Sequence, residues 1–106
     1  MRNNYADNDA EASFGVITTD ASNQIIEAAQ EDQFWVVDWV TISGEASGAK
    51  TVSIKFGSDA EWTAVVHANT VEHFTFNPPL YANGRTKNEA LIVNGTAGAI
   101  VSIRYR

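Results

Sequence analysis

Residues 50–57 read KTVSIKFG, and the alternation in this short stretch decides the fold class. Successive side chains of a strand point to opposite faces. Val52, Ile54 and Phe56 therefore share one side, while Thr51, Ser53 and Lys55 share the other. One dry face and one wet face is what an antiparallel sheet packed on a core requires of its strands. The pattern returns in 99–105, where Val101, Ile103 and Tyr105 oppose Ser102 and Arg104.

Similar runs, rich in β-branched and aromatic residues, occupy 14–19, 24–29, 34–43, 62–67, 72–77 and 90–94. Turn chemistry separates them. Gly44 and Gly48 bracket one break, and Gly57-Ser58-Asp59 forms another. Pro78-Pro79 is excluded from a central strand because proline has no N–H for the ladder. Asn83-Gly84 and Asn94-Gly95 suit tight turns with positive φ. Residues 21–31 contain good helix formers, yet their only large apolar residues are the adjacent Ile25 and Ile26. Without an i+3 or i+4 partner this is not a helical stripe, and 24–29 reads as a strand. Eight short strands at this spacing predict an all-β, antiparallel β-sandwich of jelly-roll type.

Residues 34–43 break the alternation. Phe34, Val36, Val40 and Ile42 fall on one face, interrupted by Asp38, while Trp35, Val37 and Trp39 fall on the other. A strand apolar on both sides needs cover on both. In so small a domain one side is served by the core, and the other by an arm, a loop or a second subunit. The expectation is a subunit interface at Trp35, Val37 and Trp39, since exposed apolar patches mark interaction sites and tryptophan is a preferred anchor. Asp38 reads as a carboxylate at a solvated edge, the alternatives being neutralisation by Arg104 or by a subunit partner.

The 106 residues suit one domain, divided here into a flexible N-terminal arm at 1–13 and a sandwich at 14–106. The arm is acidic and polar, lacks apolar periodicity and reads unlike a secretory leader. With no cysteine, disulfide and thiolate chemistry are excluded. No apolar run approaches the roughly 20 residues that span a bilayer. The net charge is -6, and the seven Lys and Arg residues are scattered, with no more than two close together, as at Arg85 and Lys87 or Arg104 and Arg106. Nucleic acid is thereby disfavoured as a partner.

Motifs that carry chemistry are sparse. His67 and His73 would approach one another if 62–67 and 72–77 formed a hairpin, but a zinc site needs three or four ligands. Residues 7–11 resemble the start of a calcium loop, without its sixth-position glycine or its twelfth-position glutamate. Asn94-Gly95-Thr96 matches a glycosylation acceptor and is better explained as a turn. No nucleophile elbow or phosphate loop is present. These observations point away from an enzyme, a cofactor and a resident metal.

A resemblance to a known family rests on the order of these segments. Strand 24–29 is followed by the long apolar strand 34–43 and a Gly-rich turn. Then come the "TVSIKFGS" strand at 51–58, the aromatic and proline stretch FTFNPPL at 74–80, and the closing pair within 89–105. Over about four-fifths of the chain this outline resembles small β-sandwich virion proteins of tailed bacteriophages. The resemblance implies a structural protein without catalysis, of the capsid decoration (cement), head-fibre or tail accessory type. It further implies self-association, with a homotrimer expected, and location on the outer head surface against the major capsid protein. Arg2, Asn3, Asn4 and Tyr5 of the arm are then the expected capsid contacts. The alternative is a carbohydrate- or receptor-binding module of a head fibre or tail, in which Trp62 and Tyr81, with Trp35, would stack on sugar rings.

Overall fold

The computed structural model describes residues 12–45 and 48–106. Among them lie eight strands: β1 (Ser13–Thr18), β2 (Asn23–Glu27), β3 (Val36–Ser43), β4 (Lys50–Phe56), β5 (Asp59–Val66), β6 (Val71–Tyr81), β7 (Leu91–Gly95) and β8 (Ile100–Tyr105). Each run identified from sequence is a strand, the 24–29 segment included. One short 3-10 turn (Asn83–Arg85) precedes β7.

The strands form two four-stranded sheets, ordered β1-β8-β3-β6 and β2-β7-β4-β5. Every pairing is antiparallel. The first strand pairs with the last, the second with the seventh, the third with the sixth and the fourth with the fifth. That wrapping is a jelly roll. We call the sheets A and B in that order.

The two sheets bury one core between them. Sheet A contributes Val37, Val40 and Ile42 from β3 and Val101, Ile103 and Tyr105 from β8. Sheet B contributes Val52, Ile54 and Phe56 from β4, Leu91 and Val93 from β7, and Val66 from β5. Each fully buried aliphatic or phenyl group contributes roughly 1.5–3 kcal/mol relative to exposure. Two polar residues are buried as well, Lys50 at 6% exposed and Thr19 at 2%. The Thr19 hydroxyl donates to the Thr96 carbonyl and accepts from Ala99 N–H at 2.9 Å, tying the end of β1 to the β7–β8 turn.

β3 resolves its two-sided apolar character by a β-bulge. Its register with β6 and with β8 shifts between Val37 and Trp39, so that Asp38 is an extra residue. One extra residue re-phases a strand. Val37 thus turns inward with Val40 and Ile42, each 0% exposed, while Trp39 turns outward. The expectation that Trp35, Val37 and Trp39 share one face is therefore corrected. Strict alternation cannot be carried across a bulge.

Three smaller expectations are also revised. Pro78 and Pro79 lie within β6, which is tolerable because β6 is an edge strand of sheet A. The peptide bond from Asn77 to Pro78 is cis. The register of β6 jumps from Thr75, opposite Trp39, to Leu80, opposite Val37, so the prolines sit outside the ladder. Second, Asn94-Gly95 ends β7 rather than forming a turn; the positive φ falls at Gly98. A Cβ on Gly95 would lie 2.8 Å from Thr19 Cγ2, so close approach explains that glycine. Third, β5 and β6 belong to different sheets, so the segment between His67 and His73 crosses over and no hairpin ladder joins them.

Candidate functional site

The cross-strand register lays out the outer face of sheet A in rows, because directly opposed residues of neighbouring strands share a face. Phe14, Arg104, Trp39 and Thr75 form one row; Val16, Ser102, Thr41 and His73 form the next; Thr18, Ile100, Ser43 and Val71 form the third. Among the described residues, four of the most exposed large apolar side chains belong to these rows: Phe14 at 65%, Val16 at 68%, Val71 at 67% and Ile100 at 47%. Scattered single apolar residues need no explanation, but a grouped patch on one sheet does.

The patch is internally organised. The Phe14 and Trp39 rings lie 6.1 Å apart, and Trp39 lies 5.2 Å from the His73 ring. Arg104 places its guanidinium carbon 5.7 Å from the Phe14 centroid, within the range of a cation–π contact. His73 is hydrogen-bonded through Nδ1 to Thr41 Oγ1 at 2.6 Å and through Nε2 to Thr75 Oγ1 at 3.0 Å. Both ring nitrogens are thus engaged by hydroxyls of its own face. His67 is exposed and lies outside this arrangement.

At one end of the face stands the bulge residue Asp38. It accepts from Arg106 Nε at 3.2 and 3.3 Å and from Arg106 Nη2 at 3.2 Å. Arg104 Nε lies 3.7 Å from the same carboxylate. The solvated-edge reading of Asp38 is replaced by an ion pair. Beyond it, Phe34, Val36, Pro79, Tyr81 and Arg106 line an open cleft of about 180 Å³.

The opposite surface of the molecule, the outer face of sheet B, has another chemistry. Asn23 Oδ1 accepts from Lys55 Nζ at 3.2 Å and from Asn94 Nδ2 at 2.7 Å, and Ser53 and Thr63 share a hydrogen bond of 2.8 Å. Its exposed large residues, Ile25 and Val65, lie on the two edge strands β2 and β5, apart from one another.

The remaining residues singled out in the sequence are dispersed. Trp35 is half-buried at the margin of the core, with its ring 6.0 Å from Tyr105 and its Nε1–H donated to the Ala28 carbonyl at 3.2 Å. Val37 is in the core. Trp62 packs edge-on against Phe74 and Phe76 at 4.9 and 5.3 Å, lying against the core instead of standing as a platform. Tyr81 lines the cleft. Arg2, Asn3, Asn4 and Tyr5, and the calcium-like segment at 7–11, lie outside the described residues. Tyr105 closes the same end of the core: its hydroxyl donates to Glu27 Oε2 at 2.7 Å. Burial, that hydrogen bond and the neighbouring carboxylate charge push the phenol up to about 12.

Phe14, Val16, Val71 and Ile100 were not anticipated. A signal for them existed. Ile100 has the parity of Ser102 and Arg104, and Val71 that of His73 and Thr75, so each is an apolar residue on a wet face. Among the described residues no cluster of three or more His, Asp and Glu residues could hold a metal ion. Nor is any helix among them long and apolar enough to cross a membrane.

No known protein family matches the chain, and no curated protein matches it. Among solved structures, one described by the words "Bacillus endospore appendages form a novel family of disulfide-linked pili" is similar over 90% of this chain and 84% of that chain, with 21% identity and a TM-score of 0.48. The disulfides named there have no counterpart in this cysteine-free sequence.

Proposed function

We propose that this chain is a non-enzymatic structural subunit that docks onto a larger assembly through the outer face of sheet A. The observation that carries the reading is that Phe14, Val16, Val71 and Ile100 are all exposed on the same face as Trp39. Trp39 is the anchor, backed by Phe14 and His73, with Thr41, Ser102 and Arg104 as polar neighbours. Apolar anchors beside polar, hydrogen-bonding residues are the composition that protein interfaces favour.

The assembly we assign is the head of a tailed phage, with the protein acting as a decoration subunit on the outer head surface. This rests on the resemblance of residues 23–106 to small virion β-sandwiches. The partners are further copies of the chain, as a homotrimer, and the major capsid protein. Many such contacts on one lattice act together, so each can be individually weak.

The test is co-sedimentation with purified undecorated capsids, with the mass of the free protein measured by light scattering. Wild-type protein co-sediments and is multimeric. Trp39→Glu lowers the affinity for capsids about 30- to 150-fold, the loss expected of one interface anchor worth roughly 2–3 kcal/mol, with an unchanged circular dichroism spectrum. Unaltered capsid binding and mass in that variant would sink the docking face.

A further inference from the structure

We infer that Asn83 is a self-modification site: in the folded chain its side-chain amide is lost to attack by the Gly84 backbone nitrogen, leaving aspartate or isoaspartate. The pair Asn-Gly occurs twice in the sequence, at 83–84 and 94–95. Glycine has no Cβ to shield its nitrogen or restrict its backbone, so the two pairs share one intrinsic reactivity. The fold treats them differently. Asn83 and Gly84 stand in the single 3-10 turn after β6, and both are exposed. Gly84 has a φ of 70°, and a Cβ placed on it would meet nothing within 4 Å. Among the described residues, none hydrogen-bonds the Asn83 side chain or the Gly84 N–H. Asn94 and Gly95, by contrast, end β7 inside sheet B. Asn94 Nδ2 is donated to Asn23 Oδ1 at 2.7 Å. Gly95 is buried, pairs with Val52, and accepts at its carbonyl from Ala21 N–H at 2.9 Å.

The step needs only water. The Gly84 nitrogen loses its proton to hydroxide and bonds to Asn83 Cγ. The bond from Cγ to Nδ2 then breaks, and the leaving nitrogen takes up a proton and departs as ammonia. Water opens the resulting succinimide ring. Cleavage at the Cγ side gives aspartate, and cleavage at the main-chain carbonyl gives isoaspartate, with the chain rerouted through the side chain. Thr86 Oγ1 donates to the Asn83 carbonyl at 2.9 Å. That carbonyl shares a peptide unit with the Gly84 nitrogen, so the bond steadies the negative charge formed on deprotonation. Ring closure also requires the peptide to turn toward the side chain. In an exposed turn that opening costs little, whereas a strand in the body of a sheet must first leave its ladder. Each conversion adds a negative charge to a chain whose formal net charge is already -6.

The experiment ages the full chain in mildly alkaline buffer and follows it by ion exchange, peptide mass mapping and enzymatic methylation of isoaspartate. A more acidic species is expected to accumulate, faster as pH rises, with the change mapped to residue 83. Asn83 should convert at least about 100-fold faster than Asn94, a margin that the opening free energy of a core strand readily supplies. In strong denaturant Asn94 should catch up, because the fold alone protects it. Asn83→Gln should abolish the early acidic species, since its longer side chain must close a larger and slower ring. The exposure of residue 83 leaves room for that change. Equal rates at the two sites in the folded chain would overturn the assignment. So would the absence of an acidic species over a time in which the denatured chain converts, or its persistence in folded Asn83→Gln. Should Asn83→Gln fail to fold, the wild-type peptide map decides alone.

Discussion

Both outer faces of this sandwich mix polar and apolar groups, yet they differ in how many large apolar side chains they expose. On sheet B, Asn23, Asn94, Lys55, Ser53 and Thr63 bond to one another across the strands. On sheet A the corresponding rows carry Phe14, Val16, Trp39, Ile100 and Val71. The core accounts for neither, since both faces point away from it. A side-chain ladder bonded within itself has little left to offer a partner. A row of phenyl, indole and aliphatic groups gains only when another surface removes it from water. The difference separates a face whose side chains bond to one another from a face that leaves large apolar groups in water.

The sharpest way to break this comparison uses residues 37 and 39, two apart in sequence and on opposite sides of sheet A. Val37→Glu buries a charge in the core opposite Tyr105 and is expected to cost at least about 4 kcal/mol. That is a large share of the roughly 5–15 kcal/mol that stabilises a domain; chemical denaturation should find the variant mostly unfolded. Trp39→Glu, placed outside beside Arg104, is expected to stay within about 1 kcal/mol of wild type. Equal losses at both positions would mean that Trp39 is a core residue and that the face is not free.

A second test addresses the bulge. Asp38→Ala removes the carboxylate that Arg106 hydrogen-bonds and that Arg104 approaches at 3.7 Å, and leaves two cations side by side. Because the groups are 20–29% exposed, the expected loss is modest, about 1–2 kcal/mol. It should shrink as salt rises, because screening weakens the pair and the repulsion alike. A salt-independent loss would point to backbone strain at the bulge instead.

A smaller effect is expected at Tyr105. Its phenol titrates at about 12 in the folded protein, against an ordinary value of 10.0. A folded pKa above the unfolded one means that the stabilisation is complete below the ordinary value and is lost as pH climbs through about 12. Tyr105→Phe is therefore expected to melt lower than wild type at neutral pH by the worth of one hydrogen bond, about 1 kcal/mol. The two melting curves should converge between those two pH values. A gap that persists at the alkaline end would assign the loss to packing.

The least effect belongs to the outer face of sheet B. Ser53→Ala removes one bond of an exposed ladder, and its expected cost is within about 0.5 kcal/mol, with capsid co-sedimentation unchanged. A docking defect in Ser53→Ala would reverse the roles assigned to the two faces.

The sequence disclosed the strands because alternation is local. Val52, Ile54 and Phe56 need no knowledge of their neighbours to be read as one dry side. Phase across β3 was another matter, since the bulge at Asp38 is decided by pairing with β6 and β8 and not by the residues 34–43 alone. Reading through it placed Val37 with the tryptophans, on a face it does not share with Trp39. Trp39 was singled out because the strand is apolar on both sides, and the structure does turn it outward. Its companions escaped because each lies on a different strand. Phe14, Ile100 and Val71 become a patch only once β1, β8, β3 and β6 are set in order. The cleft was hidden for the same reason, as Phe34, Pro79 and Arg106 meet only through the end of sheet A.

The pairing of β1 with β8 has a mechanical consequence. Ser13 lies opposite Tyr105, so traction applied between these two points opens the strands from one end, bond after bond, like a zip. Such a geometry yields at low force. A load led in through the patch around Trp39 meets β8 and β3 broadside, in the interior of the sheet, where many bonds must give way together. A subunit that must hold against strain is therefore better gripped by its flank than pulled by its ends.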